Sequence, residues 1–157
     1  MNDVAVRLER TTDRDIHDDL VLSLGTWQHV SDSFYFANDP TTTATKNVPQ
    51  QLAGLLEQWV ELVRELTPTG GTVFLPFDFS DECTGWLRVT SQDGRIARVE
   101  AGWSLIQGWS FNPSDITDMA HRVSDFAPEA GATVNCLIDD LLATITINRS
   151  AFIESSN

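Results

Sequence analysis

Apolar and polar positions change their period several times along this chain, and each change predicts an element. Val4, Val6 and Leu8 alternate with polar neighbours, the period of two expected of a half-buried strand. Residues 10–19, RTTDRDIHDD, carry Asp13, Asp15, Asp18 and Asp19 with no apolar stripe, and predict an exposed connection. VLSLGTWQHV and SFYFAN are β-prone on either side of Ser31 and Asp32, and DPTTTATKN, residues 39–47, predicts a polar loop.

From Val48 the period becomes helical. Val48, Leu52, Leu55, Leu56, Trp59, Val63 and Leu66 recur at steps of three and four, with Gln51, Glu57, Gln58, Glu61 and Glu65 mostly opposite. Asn47 can cap this helix, Pro49 suits its first turn, and Thr67-Pro68 with Gly70-Gly71 stops it. The spacing predicts a helix over 48–66.

TVFLPF, residues 72–77, is apolar on both faces and predicts a buried strand ending at Pro76. Asp93-Gly94, between β-prone runs in WLRVTSQDGRIARVEAGWSLI, predicts a two-residue type I′ hairpin. Asn112-Pro113-Ser114-Asp115 looks like a helix start, and Ile116, Met119, Ala120, Val123 and Phe126 supply a stripe for a helix over 113–126. ATVNCLI and LLATITIN predict a hairpin about Asp139 and Asp140, and residues 150–157 are expected to fray. Hairpins separated by helices argue against regular strand–helix alternation. The expected fold is therefore α+β: one domain over 1–157, a mainly antiparallel sheet of five to seven strands, and two helices (about 48–66 and 113–126) packed on it.

The segment GWSLIQGWSFNPSD poses a sharper question. A two-residue turn at 93–94 places Trp86 opposite Ala101, so that Trp86, Trp103, Val99 and Ala97 share one side of the sheet, and Trp109 returns to it if the strand continues. Gly102 and Gly108 then point the other way, where another group can approach closely. Two readings stand: tryptophans filling a core with Trp59, or a tryptophan patch anchoring a partner. Trp86 and Trp103 are expected in the core, and Trp109 at the surface.

Charge changes the picture most. Among 157 residues, 23 Asp and Glu face 10 Lys and Arg, a net charge of −13. Such a field repels nucleic acid and anionic membranes and draws in basic partners, while also serving solubility. The basic residues are nine arginines and Lys46 alone, so salt adaptation or a GC-rich genome is a second source of the acidity. The apolar runs are too short to span a bilayer, and the first ten residues lack the pattern of a signal peptide, which points to the cytoplasm. Cys83 and Cys136 lack metal spacing and are expected as free thiols.

Catalytic motifs are missing. His17, His29 and His121 lie on different segments without a partner at ligand spacing, and Cys83 follows Asp81 and Glu82, which oppose thiolate formation. No nucleophile elbow or phosphate loop occurs. The acidic run DFSDE, with Asp78, Asp81 and Glu82, is the nearest thing to a hard-cation site, but it lacks the EF-hand spacing. No metal or cofactor is therefore expected.

An acidic, tryptophan-rich α+β chain without catalytic groups resembles the bacterial immunity proteins of toxin–immunity systems. The features that carry the resemblance are the −13 charge, the aspartate clusters and GWSLIQGWSFNPSD. It implies a non-enzymatic protein that neutralises a basic toxin domain, of nuclease or deaminase class, by covering its active site. The expected partner-facing residues are Asp13, Asp15, Asp18 and Asp19, Asp78, Asp81 and Glu82, Trp109, and Asp139 with Asp140. The alternatives are a metal- or carboxylate-dependent enzyme using the Asp78–Glu82 loop, and a structural subunit of a larger assembly.

Overall fold

The helical period that begins at Val48 becomes helix α1, Val48–Arg64, with Leu52, Leu55, Leu56, Trp59, Leu62 and Val63 buried along one side. The computed structural model describes residues 6–11, 19–33, 48–79, 83–107 and 115–155. The helix stops two residues before the expected boundary, yet Leu66 stays in the core and its carbonyl accepts the Gly70 N–H at 2.7 Å. Gly70, at φ 91°, makes the turn into the next strand.

Among the described residues, seven strands form two antiparallel sheets rather than one. The first is a meander of β1 (Val6–Arg10), β2 (Leu20–Leu24) and β3 (Trp27–Ser31). The second runs β4 (Gly71–Asp78), β5 (Thr84–Ser91), β6 (Ile96–Ser104) and β7 (Ala127–Leu137) in sequence order. The long excursion through α1 separates the two meanders. The first meander's side chains reach the second through rings rather than through ladder hydrogen bonds, as Trp27 does against Phe77.

Sheet register corrects the expected hairpin. Trp86 pairs with Gly102 and Leu87 with Ala101, one residue away from the pairing a two-residue turn would give. The cause is the Asp93 side chain, whose Oδ1 accepts the N–H groups of Arg95 and Ile96 at 2.9 and 3.0 Å. That cap widens the turn and leaves Gly94 at φ 76°, the one position of the turn that needs glycine. A slip of one residue reverses which side chains share a face. Trp86 therefore points away from Trp103: it is 0 % exposed, and its indole N–H donates to Thr84 Oγ1 at 2.8 Å. Trp86 is core as expected, but on the opposite side of the sheet.

That opposite side is covered by the chain between β6 and β7. Here the expected helix over 113–126 is only one turn, α2, Thr117–Ala120; residues 108–114 lie outside the described part. Ile116 and Val123 are buried, while Phe126 packs on Phe74 and under the Arg88 guanidinium, 4.6 Å from its ring. The stripe is spent on a short turn plus an irregular segment lying across the sheet. Gly102 meets this segment directly: a Cβ there would collide with the Ala127 carbonyl and approach the Phe126 ring to 2.5 Å. Gly102→Ala is expected to cost about 1–3 kcal/mol, because the carbonyl belongs to the adjoining strand and cannot swing away. Urea unfolding of the variant checks this, and an unchanged midpoint would contradict the packing.

The C-terminal segment is the largest departure. Instead of a hairpin about Asp139 and Asp140, β7 ends at Leu137 and helix α3, Ile138–Ser155, follows at once. LLATITIN alternates like a strand. Wound as a helix, however, it buries Leu141, Thr144 and Ile145 on one side, which Phe152 continues, while Ile147 remains 62 % exposed. Packing against α1 and β1 overrides the β-branched propensity of Thr144 to Ile147. Asp139 and Asp140 sit in the first helical turn, where carboxylates favour the positive end of the helix dipole. Residues 150–155, expected to fray, form the last turns of this helix.

The outer edge of β1 is closed by α3. The Leu8 N–H donates to Asn148 Oδ1 at 2.7 Å, so a side chain occupies a backbone donor that a further strand would otherwise use. Among the described residues, no helix is long and apolar enough to cross a membrane.

Candidate functional site: an aromatic cluster around a histidine–aspartate pair

A strand that carries Trp27 and His29 two positions apart must put both on the same face. In β3 they stack, with ring centroids 5.9 Å apart and planes within 6°. The face they present meets the second sheet where β4 is irregular. Pairing slips between Pro76 and Asp78, so Phe77 and Asp78 both lean over Gly85 instead of alternating. A Cβ on Gly85 would lie 2.6 Å from the Phe77 ring and 3.1 Å from Asp78 Cβ. The glycine and the bulge together open room for two neighbouring side chains on one face.

The result is a cluster drawn from four strands. His29 lies edge-on to Phe77 at 5.4 Å and to Trp103 at 5.0 Å, and Phe77 meets Trp103 at 5.8 Å. His29 Nε2 is 2.8 Å from Asp78 Oδ2. Since a carboxylate only accepts, that nitrogen carries the proton and donates. Asp78 is 6 % exposed, whereas the His29 side chain keeps 22 % of its surface. Trp27 and Trp103 are half-buried, and the Trp103 indole N–H donates to Glu129 Oε1 on β7 at 3.1 Å. The cluster thus has a sealed base of Phe77 and Asp78 and an open rim of Trp27, His29, Trp103 and Glu129.

The expected partner-facing residues fall into four groups. Asp78 is brought to this cluster, as a buried support for His29 rather than a rim charge. Asp139 is exposed and Asp140 half-buried at the start of α3. Asp19 is 0 % exposed and holds the first sheet together: Oδ1 accepts the Ser33 N–H at 2.9 Å, while Oδ2 accepts the Ser33 hydroxyl at 2.6 Å and Arg10 Nε at 2.8 Å. Burial works to raise its pKa, but the bonds from Ser33 and Arg10 outweigh it and hold the carboxyl below the ordinary range. An aspartate so enclosed cannot meet a partner, which corrects its expected placement in an exposed connection. Asp13, Asp15, Asp18, Asp81, Glu82 and Trp109 lie outside the described residues.

Trp27, His29 and Glu129 are the members that the sequence reading missed, and Trp103, expected in the core, is half-buried on the rim. The signal available was the i, i+2 pairing of Trp27 and His29 on one strand face. Their partners come from 48 or more residues further on, which local periodicity does not reach.

Other polar groups are committed elsewhere. Asp125 accepts from the Ser104 hydroxyl at 2.6 Å and the Leu105 N–H at 2.8 Å, and these bonds, Ser104 first, hold its carboxyl below the usual value. Cys83 and Cys136 are not joined in a disulfide. Burial, and then the charge of Asp140, pushes the Cys136 thiol up, the wrong direction for a nucleophile. Among the described residues no group of three His, Cys, Asp or Glu side chains is placed to hold a metal ion. The rim presents flat aromatic surface beside a carboxylate. Comparison with protein-family models, curated proteins and solved structures finds no match to this chain.

Proposed function

We propose that the chain is a non-enzymatic acidic binding protein that captures a basic protein, with a toxin domain of nuclease or deaminase class as the occupant its character suits best. The observation that carries this reading is the open aromatic rim of Trp27, His29 and Trp103, with Glu129 on its edge, in a molecule of charge −13. Charge of that size speeds encounter with a basic partner, and partly desolvated aromatic rings with a carboxylate beside them slow its departure. Asp78 is already engaged with His29, which favours this reading over a cation held by the 78–82 loop.

The test is kinetic, using a basic protein encoded beside this chain's gene. Association is expected to slow steeply between about 50 and 500 mM salt, since exposed charges more than a Debye length apart are screened. Changing Asp13, Asp15, Asp18, Asp139 and Asp140 to Asn is expected to flatten that slope while leaving the dissociation rate within about threefold. Binding that ignores both salt and these substitutions would sink the charge argument.

A further inference from the structure

We infer that the rim of Trp103, His29, Trp27 and Glu129 is a receptor for a guanidinium group, so that the basic partner enters this site through an arginine side chain. The inference rests on the reading of the chain as an acidic binding protein and narrows it to one side-chain chemistry at one place.

The rim has the two elements that distinguish a guanidinium from an ammonium. The first is flat π surface. Trp103 and Trp27 are half-buried, with His29 stacked on Trp27 and edge-on to Trp103. A guanidinium is planar and weakly hydrated, so it gains from lying on an aromatic ring, whereas an ammonium keeps its water. The second is a carboxylate fixed at the ring's edge. Glu129 Oε1 accepts the Trp103 indole N–H, leaving Oε2 without a partner among the described residues. Residues 127–131 are all exposed, and those around Glu129 are Ala127, Pro128, Ala130 and Gly131. None of these neighbours has the length to screen the carboxylate. An arginine can therefore stack on indole and hydrogen-bond the adjoining carboxylate at once, the fork geometry for which lysine has no equivalent.

The rim is also held ready. Asp78 fixes the His29 ring at 2.8 Å from beneath, and Phe77 packs edge-on against both His29 and Trp103. A site whose rings are already fixed by buried neighbours loses little freedom on binding. Among the described residues, the charges facing the rim are Glu129 and Asp78. Arg88 and Arg98 pair with Glu100, which lies on the other side of the sheet from Trp103, so they do not compete for it.

The experiment compares nona-arginine with nona-lysine, two peptides of equal charge, on the wild type and on Trp103→Leu, Glu129→Gln and the pair Asp139→Asn with Asp140→Asn. Wild type is expected to bind the arginine peptide about tenfold more tightly than the lysine peptide, and Trp103→Leu or Glu129→Gln to reduce that preference to about twofold or less. The Asp139 and Asp140 substitutions should weaken both peptides alike and keep the preference. Glutamine retains an oxygen for the indole N–H, so Glu129→Gln tests the charge without undoing the ring's position. If Trp103→Leu fails to fold, the indole N–H resonance of Trp103 in the wild type takes its place; it must shift with nona-arginine and stay still with nona-lysine. Equal, salt-dependent binding of both peptides, indifferent to Glu129→Gln, would overturn the guanidinium receptor and leave the acidic binding protein standing. Failure of both peptides to bind at about 50 mM salt would remove both readings.

Discussion

Asp19→Ala is expected to lower stability by about 3–5 kcal/mol, the range for breaking a buried ion pair from one side. The carboxylate is buried beyond the end of β1 and just before β2, and it takes hydrogen bonds from Arg10 on β1 and from Ser33 just past β3. Its removal leaves the Ser33 amide and hydroxyl without their acceptor and Arg10 without its counter-charge. Asp19→Asn is milder, because the amide fills the space but brings its own donors toward groups that already donate. The two variants separate by pH. Asp19 has a depressed folded pKa, so its contribution is complete above the unfolded value of about 3.9 and fades as pH falls through the folded value. Urea midpoints measured from neutral pH downward should show the gap between wild type and Asp19→Asn closing only below about pH 4. A gap already closed at pH 6 would mean that the charge on Asp19 does not hold the three strands.

Trp59→Ala is expected to be of similar size, about 3–5 kcal/mol, or a fall in Tm of about 10 °C or more for a chain of this length. Trp59 is almost wholly buried on α1, and its indole N–H donates to the Pro76 carbonyl of β4 at 3.0 Å. That bond fastens the helix to an edge strand immediately before the bulge that re-aims Phe77 and Asp78. Trp59→Phe keeps most of the volume but leaves the carbonyl without its donor, and should cost about 1–3 kcal/mol. The site gives an independent readout. If Pro76 shifts, the contact of Asp78 with His29 loosens, so Trp59→Phe should disturb the His29 ring resonances although it touches none of the rim. Unchanged resonances would show that the bulge is set by β4 and β5 alone.

Much of this architecture is legible in the residues. Helix α1 stands out because a long stripe with a stop signal has no competing interpretation, and the antiparallel meander from Gly71 to Ser104 follows from short β-prone runs split by a turn. The errors arise where local rules conflict with distant contacts. Asp93-Gly94 signals a two-residue turn, but an aspartate that caps two following amides makes a wider one and reverses the faces of Trp86 and Trp103. Residues 141–148 alternate like a strand, and only the presence of α1 and β1 to pack against makes them helical. The acidic pair Asp139 and Asp140 suits a helix start as well as a turn between strands, and the structure uses it as the first turn of α3. The aromatic rim was invisible for the same reason as the two-sheet arrangement: its members meet only after residues 27–29, 77–78, 103 and 129 have been brought together by tertiary packing.

The hydrogen bond between Leu8 and Asn148 joins residues 140 positions apart, and this bears on how the molecule is made. A ribosome adds about 5–20 residues per second, so β1 waits on the order of ten seconds for the helix that closes its edge. During that interval the second meander can form from local contacts as it emerges, each strand pairing with the one just synthesised. The first meander and the apolar side of α1 have no such completion until residues 138–155 leave the tunnel. The nascent chain therefore exposes an uncapped strand beside an unfilled helix face until those residues have emerged. That early portion is where a ribosome-associated chaperone would have most to shield.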